Sequence, residues 1–191
     1  MEVSEARCHL PMLGARAAGS LRGDDFHETP RVAIEALLKV EDFDGPVWEP
    51  ACGYGAISKV LEAHGIPVVS TDLVERGYGQ GRIDFLMEMG PRAPNIITNP
   101  PFKLAAEFAC KAASFSPAKV ALLCRLGWLE GKSRRLMFMR TGLARVWVFS
   151  GRLPMMHRVG WAGKESTSAI AFAWFVWDRD HYGPPELGWL P

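Results

Sequence analysis

The sequence has few cysteines and no closely spaced metal-binding pair. Its four cysteines, Cys8, Cys52, Cys110 and Cys124, form no CxxC motif, and its five histidines form no HxH or HExxH pair. Zinc sites and disulfide frameworks depend on such spacings, so the sequence indicates neither. We therefore predict a protein without a bound metal that works in a reducing compartment, with the cytoplasm as the simplest location.

Long apolar runs are also missing. No segment approaches the roughly 20 apolar residues that cross a bilayer, so we expect no membrane association. The N-terminal stretch ARCHLPMLGARAAGS contains Pro11 and Arg16 and has no continuous apolar core, which argues against a signal peptide. We expect residues 1–24 to form a loosely ordered tail. Because there are no internal repeats, residues 25–191 are expected to form one domain of ordinary size.

Apolar and amphipathic segments alternate along the rest of the chain, as they do in α/β proteins. The patterns predict helices at 29–40, 54–65, 102–115 and 132–142, and strands at 45–51, 67–73, 95–101, 119–126, 144–151 and 168–178. Thr29 is the expected N-cap of the first helix, Pro30 its first residue, and Gly65 the cap that ends the second. This order predicts a doubly wound, mostly parallel sheet. Only a loop joins the last two strands, so we expect them to form an antiparallel hairpin at one edge.

Positive charge is concentrated in one part of the chain. Residues 125–164 contain nine of the 22 lysines and arginines but only one of the 21 acidic residues, Glu130. Such a block suits a polyanion such as a nucleic acid. It is equally consistent with a solvated helix face whose counter-charges come from elsewhere in the fold.

A glycine-containing loop, EPACGYG, follows the first predicted strand. Gly53 and Gly55 allow a tight turn and a close approach to a ligand, and the helix that follows offers backbone N–H groups. The loop is not a GxGxxG dinucleotide motif, because Ser58 stands where the third glycine belongs. Glu49, just before the loop, would repel a pyrophosphate and suits a cationic ligand instead.

Acidic residues farther along complete the predicted pocket. Asp72 ends the second strand, where a carboxylate can accept both hydroxyls of a ribose. Asp84 can accept a hydrogen bond from an adenine amine, and Phe85 can cover the adenine ring. A cationic adenosine compound meets these requirements, so the sequence predicts a site for S-adenosylmethionine. The same predicted site includes Pro50, Ala51, Cys52 and Leu73.

The sequence NPPF at 99–102 follows a predicted strand. A double proline lacks backbone N–H donors and disfavours helix in the residue before it, so this corner is rigid. An exocyclic amine on an aromatic ring is a poor nucleophile, because its lone pair is delocalised into the ring. Two in-plane acceptors can favour a pyramidal nitrogen whose lone pair points at a methyl donor. The proton can leave after the transfer, so no dedicated base is required.

This corner resembles the (D/N)PP(Y/F/W) motif of class I S-adenosylmethionine-dependent amino-methyltransferases, and most closely that of small phage or prophage DNA adenine-N6 methyltransferases. The resemblance implies a single Rossmann-like domain with a seven-stranded sheet, and methyl transfer to N6 of a flipped adenine in DNA. Asn99 and Pro100 would accept hydrogen bonds from the amine, Phe102 would stack on the base, and Pro101 would keep the corner rigid. Asn99 would also lie beside the methyl donor.

A second segment, FHETP at 26–30, resembles the element of this family that closes over the methionine end of the donor. Phe26, Thr29 and Pro30 match it best. No segment is long enough for a separate target-recognition domain. We therefore expect that sequence selectivity is low, comes from residues 127–142 and 151–167, or is supplied by a protein partner.

The motif alone leaves the substrate open. NPPF also occurs in enzymes that methylate RNA amines or the glutamine amide of release factors. The basic block favours a nucleic acid over a protein, and the resemblance favours DNA over RNA. A catalytically idle S-adenosylmethionine-binding subunit is an alternative, although both motifs are intact. The expected phosphate contacts are Arg134, Arg135, Arg152, Arg158 and Lys164.

Overall fold

The computed structural model describes residues 28–115, 117–155 and 170–191. The strands are β1 (Val47–Glu49), β2 (Val68–Ser70), β3 (Asn95–Thr98), β4 (Lys119–Arg125), β5 (Leu143–Phe149), β6 (Phe172–Asp178) and β7 (Glu186–Leu190). The α-helices are α1 (Arg31–Leu37), α2 (Ala56–Ala63), α3 (Ala105–Ser114) and α4 (Lys132–Thr141). Short 3₁₀ helices cover Phe85–Met87, Phe102–Leu104 and Leu126–Leu129. Within these ranges no helix is long and apolar enough to cross a membrane.

All seven strands join one sheet in the order β2-β1-β3-β4-β6-β5-β7. The first four strands in this order run parallel, and β6 is antiparallel to both of its neighbours, β4 and β5. The predicted mostly parallel sheet with an antiparallel hairpin is thus confirmed. The outermost strand, β7, pairs in parallel with β5 and was not predicted. Its sequence ELGWL is short and contains a glycine, so it carries little strand signal.

The sheet separates two hydrophobic cores, one on each face, because successive side chains of a strand point in opposite directions. In β3, Ile97 packs with Leu37 of α1 and Leu61 of α2, all fully buried. Its neighbour Ile96 packs on the opposite face with Phe108 of α3. Full burial of such a side chain stabilises the fold by roughly 1.5–3 kcal/mol. The doubly wound arrangement follows from this near-continuous apolar run, as expected for strands covered on both faces.

Proline sets two boundaries that differ from the predicted ones. Helix α1 begins at Arg31, and Pro30, with extended ψ of 139°, takes the N-cap position without a side-chain capping bond. The prediction of Thr29 as N-cap is therefore wrong. Strand β3 ends at Thr98 rather than continuing to 101, since the two prolines that follow Asn99 have no N–H to donate to a neighbouring strand.

A buried ion-pair network closes the amino end of the sheet. Glu41, 4% exposed, accepts hydrogen bonds from Lys119 Nζ at 2.8 Å, from Arg145 Nε at 2.5 Å and from Trp147 Nε1 at 2.8 Å. Arg145 also donates to Asp178 at 2.5 Å. Burial by itself would raise the pKa of Glu41, but these donors outweigh burial and lower it. The network joins the end of α1 to β4, β5 and β6.

Candidate functional site

The predicted site residues lie at the carboxyl edge of the parallel strands. The chain passes from β1 outward to β2 and then returns to β3 on the other side of β1. The strand order therefore reverses between β1 and β3, and ligands of open α/β sheets bind at this kind of switch point. The EPACGYG loop follows β1, and the NPPF corner follows β3. The topology thus brings the two predicted motifs to one crevice.

The loop after β1 is tied to the end of β2. Gly53 and Gly55 have φ of 56° and 80°, in the left-handed region that favours glycine. The backbone N–H of Gly53 donates to Asp72 Oδ2 at 2.8 Å. A Cβ at Gly55 would lie 2.3 Å from the ring of Tyr78. Glycine at this position therefore allows the Tyr78 ring to pack against the loop backbone. The bonded pair fixes the loop against the carboxylate that was predicted to bind a ribose.

Glu49 lies beneath this loop and is 2% exposed. Its Oε2 accepts hydrogen bonds from the backbone N–H of Ser58 at 2.8 Å and from the Ser58 hydroxyl. The Ser58 hydroxyl is 2.7 Å from that of Ser70, so the contact extends to β2. Burial raises the pKa of Glu49 to about 8, and the Ser58 bonds oppose the shift only in part. The Glu49 side chain thus holds the first turn of α2 in place through Ser58.

Asp72 keeps hydrogen-bonding capacity although it is only 8% exposed. Its Oδ1 accepts from the backbone N–H of Val74 at 2.8 Å, and its Oδ2 from Gly53. Arg76 Nε lies 3.9 Å from Oδ1, beyond hydrogen-bonding distance, so each carboxylate oxygen still has a second acceptor site for a ligand hydroxyl. The neighbouring Cys52 is buried, and burial raises the pKa of its thiol to about 12, which makes it a poor nucleophile. Leu73 is 61% exposed beside them.

Asp84 and Phe85, the two residues predicted to contact an adenine, have different surroundings in the structure. Phe85 is 2% exposed, with its ring centroid 5.1 Å from that of Trp48 and 4.8 Å from that of Phe108. The structure therefore contradicts the prediction that Phe85 covers an adenine ring, because this side chain belongs to the core beneath α3. Asp84 is exposed and accepts from the backbone N–H of Leu86 at 2.9 Å, which caps the short 3₁₀ helix.

The NPPF corner contacts the predicted donor-closing element. Asn99 Nδ2 donates to Thr29 Oγ1 at 3.1 Å, and Thr29 is 5% exposed. This bond joins residues 70 positions apart and orients the Asn99 amide. Pro100 is buried and Pro101 half-buried, whereas Pro30 lies half-buried next to Thr29. The structure thus brings the segment at 28–30 to the corner that follows β3.

The ring of Phe102 has a neighbour that the sequence did not assign to the site. The guanidinium carbon of Arg125, the last residue of β4, lies 4.5 Å from the Phe102 ring centroid. On the core side, Phe102 packs against Phe172 with ring centroids 5.8 Å apart. Arg125 was counted only as part of the basic block. Its position at the carboxyl end of the strand beside β3 is the signal that could have identified it.

The basic block divides between the two ends of the sheet. Arg134 and Arg135 lie in the first turn of α4 and Arg152 follows β5, so all three are near the carboxyl edge. Arg145, in contrast, belongs to the Glu41 network at the amino end. Arg145 therefore finds its counter-charge elsewhere in the fold, as the second interpretation of the basic block expected. Three predicted site residues lie outside the described residues: Phe26, Arg158 and Lys164.

Comparison with solved structures identifies the fold. A proposed RNA methyltransferase from Pyrococcus horikoshii shares 16% identity with this chain, and the match covers 78% of this chain and 84% of that one with a TM-score of 0.58. The chain has a Rossmann-like methyltransferase fold. The modification subunit of a proposed type I restriction enzyme from Vibrio vulnificus matches at 15% identity over 90% of this chain and 48% of its own length, with a TM-score of 0.54. A dimethyladenosine transferase from Plasmodium falciparum matches at 14% identity over 78% and 60%, with a TM-score of 0.51.

Comparison of the sequence with protein families and with curated proteins found no match. The chain spans about half of the restriction-enzyme subunit and about three fifths of the dimethyladenosine transferase. At these identities the likeness concerns the arrangement of helices and strands, so the chemistry has to be argued from this chain's own residues.

Proposed function

We propose that this protein transfers a methyl group from S-adenosylmethionine to an exocyclic amine of a nucleic acid base, with N6 of adenine in DNA as the first candidate. The observation that carries the proposal is the bond from Asn99 to Thr29. It orients the first residue of NPPF at the switch point, one strand away from the loop that Gly53 and Asp72 hold together. Both predicted motifs therefore follow neighbouring parallel strands at the same edge of a methyltransferase fold.

The residues at the crevice fit the proposed methyl donor. Asp72 retains an acceptor site on each carboxylate oxygen, which suits the two hydroxyls of a ribose. Glu49 has no cation among its described hydrogen-bond partners, and a nearby positive charge would favour its ionised form. When bound, S-adenosylmethionine would supply an electrophilic methyl group on a sulfonium. The donor set thus combines ribose acceptors with a buried acid near the expected cation.

The roles of the corner residues follow from their chemistry. The side-chain oxygen of Asn99 and the backbone carbonyl of Pro100 accept the two N–H groups of the target amine. This hydrogen bonding concentrates the nitrogen lone pair on the side that faces the donor. Thr29 holds the Asn99 amide in orientation, Pro101 keeps the backbone rigid, and Phe102 stacks on the flipped base. The proton released after methyl transfer goes to solvent.

The polymer that carries the base is DNA in the first candidate. The resemblance of NPPF to the DNA adenine-N6 enzymes supports it, as does the likeness to the restriction-enzyme subunit. RNA is the second candidate, favoured by the likeness to the Pyrococcus protein and to the dimethyladenosine transferase. Either polymer would use the basic residues near the carboxyl edge, Arg134, Arg135 and Arg152, and a partner protein would supply further selectivity.

The experiment offers purified protein four substrates with isotope-labelled S-adenosylmethionine: duplex DNA, single-stranded DNA, RNA and a peptide-release factor. Nucleosides from the products are then separated by mass spectrometry, which distinguishes N6-methyldeoxyadenosine from N6-methyladenosine. We expect label in deoxyadenosine. Label in adenosine would move the assignment to RNA. Label only in the release factor, or in none of the substrates, would overturn the proposed function.

A further inference from the structure

One face of the Phe102 ring is covered by an arginine. Phe102 is half-buried and packs on Phe172, which pairs directly with Arg125 across β4 and β6. Arg125 is exposed, and its guanidinium carbon lies 4.5 Å from the ring centroid. Among the described residues no carboxylate forms an ion pair with Arg125. Its described partner at the site is therefore the ring itself.

A guanidinium and a nucleobase compete for the same kind of surface. Both are planar, and both stack on the face of an aromatic ring. A base stacked on this face of Phe102 would need the space that Arg125 occupies. The displaced guanidinium would then lie beside the incoming nucleotide, which carries a phosphate, and phosphates are bound by the arginine fork through two parallel hydrogen bonds.

We propose that Arg125 holds the stacking face of Phe102 until substrate arrives, and that the target base displaces it so that its guanidinium binds the phosphate of the flipped nucleotide. This inference rests on the proposed function, since it assumes a nucleic acid substrate. It deepens that function by giving the substrate a required feature, a phosphate next to the target base. The same side chain thus occupies the site in the free protein and anchors the substrate in the complex.

The experiment measures how binding depends on salt for the wild type and Arg125→Ala. Fluorescence anisotropy with the nucleic acid that the protein methylates gives the dissociation constant between about 50 and 200 mM salt. Loss of one phosphate contact should reduce the slope of log K against log salt by about 0.9 for duplex DNA or about 0.7 for a single strand. Binding should weaken about tenfold.

Two further variants separate phosphate binding from simple packing. Arg125→Lys keeps the charge and should recover most of the salt slope, whereas Arg125→Gln keeps a planar group without charge and should not. Arg179→Ala is the matched control, because Arg179 follows β6 at the amino end and its side chain is 60% exposed beside Asp180. Its slope should equal that of the wild type.

The possible results distinguish a failure of the phosphate role of Arg125 from a failure of the proposed methyltransferase function. A wild-type slope in Arg125→Ala, with Arg125→Gln restoring any lost turnover, would overturn the phosphate role and leave Arg125 as packing for Phe102. The proposed function would stand in that case, because the wild type still transfers methyl groups. If the wild type methylates no nucleic acid, both ideas fail together.

Discussion

Two glutamates that are close in sequence lie at opposite ends of the same sheet and differ in their charged partners and in their pKa. Glu41, at the amino end, is 4% exposed, and Glu49, at the carboxyl end, is 2% exposed. Glu41 has Lys119 and Arg145 beside it, and its pKa is lowered. Within the described part of the chain, the hydrogen-bond donors to Glu49 come from Ser58, and burial raises its pKa to about 8. At similar burial, the ionised form of Glu41 and the protonated form of Glu49 are therefore favoured.

This difference indicates that the amino end of the sheet stabilises the fold, whereas the carboxyl end keeps polar groups for a ligand. At the amino end, Glu41 and Asp178 are paired with Lys119 and Arg145, so these groups stabilise the domain and have little capacity left for a ligand. At the carboxyl end, Asp72 has Arg76 at 3.9 Å but keeps acceptor sites, and Glu49 has no described cationic partner. Such groups cost stability, and in many proteins they mark functional sites. Substitutions at the two ends should accordingly change different measurements.

The largest expected effect is the loss of stability in Glu41→Gln. Removing the buried Glu41 carboxylate leaves the half-buried Lys119 and Arg145 with Asp178 as their remaining described acidic partner, and breaking a buried ion pair costs about 3–5 kcal/mol. Urea denaturation should show this fall in the free energy of unfolding, while the molecules that remain folded keep their turnover. The control is Glu35→Gln, whose exposed pair with Arg31 should contribute no resolvable stability. Equal losses in the two variants would contradict the comparison.

The next effect is the loss of turnover in Asn99→Ala. Removing an acceptor aimed at the reacting amine should lower kcat by about 10²–10³-fold, the usual cost of losing one oriented group in a transition state. Donor binding, measured by calorimetry, should persist. The matched control lies at the other end of the same strand, where Asn95 donates to the Asp44 carbonyl at 2.7 Å.

Asn95→Ala should give the reverse result, because it removes a buried side chain that donates to the Asp44 carbonyl. Its free energy of unfolding should fall by about 0.5–1.5 kcal/mol, with kcat per folded molecule unchanged. If Asn95→Ala lowers turnover as much as Asn99→Ala, or if Asn99→Ala turns over normally, then Asn99 has no special role in the reaction.

A third prediction concerns the pH dependence of stability in Glu49→Gln. The pKa of Glu49 rises from 4.5 to about 8 on folding, so in this range the folded protein holds a proton that the unfolded chain releases. The contribution of Glu49 is therefore fully present below pH 4.5 and is lost as pH rises toward 8. Relative to the variant, the wild type should lose up to about 1.4 kcal/mol per pH unit.

The measurement is urea denaturation of both proteins from mildly acidic to mildly alkaline pH. Parallel curves for the two proteins would show that Glu49 is ionised in the folded state, and the contrast with Glu41 would disappear. Glu41 should behave in the opposite way: its pKa is lowered by folding, so its contribution is lost as pH falls through the acidic range.

The smallest expected effect is that of Thr29→Val. This change removes the acceptor that orients Asn99, and a hydrogen bond worth about 0.5–1.5 kcal/mol corresponds to roughly a 3- to 10-fold fall in kcat. Thr141→Val is the control, since Thr141 accepts from Trp177 at 2.9 Å near the amino end of β5. An unchanged kcat in Thr29→Val would mean that Thr29 does not position Asn99.

Most of the fold was predictable because its signals are local. Apolar runs predicted six of the seven strands, and the prolines and glycines predicted the corners between them. Strand β7 was missed, since its pairing with β5 depends on contacts beyond its own five residues. Phe85 was misassigned for a similar reason: an aromatic residue beside an acid has the same local pattern whether its ring faces a ligand or the core.

The candidate site was predicted only in part. The motifs EPACGYG and NPPF were identified because their glycines and prolines have few backbone conformations available. Arg125 and Arg145 belong to the same basic block in sequence, yet one covers Phe102 and the other pairs with Glu41. Charge counts along the chain carry no information about which edge of the sheet a residue will reach.

The sequence by itself determined the alternation of helices and strands, the rigid corner at 99–102 and the left-handed turns at Gly53 and Gly55, because each depends on neighbours in the chain. The tertiary structure alone decided the ionisation of the two glutamates, the bond between Asn99 and Thr29, and the position of Arg125. These properties depend on burial and on partners that are far apart in sequence, 70 positions apart for Asn99 and Thr29. Only packing of the two cores on the sheet brings such groups within hydrogen-bonding distance.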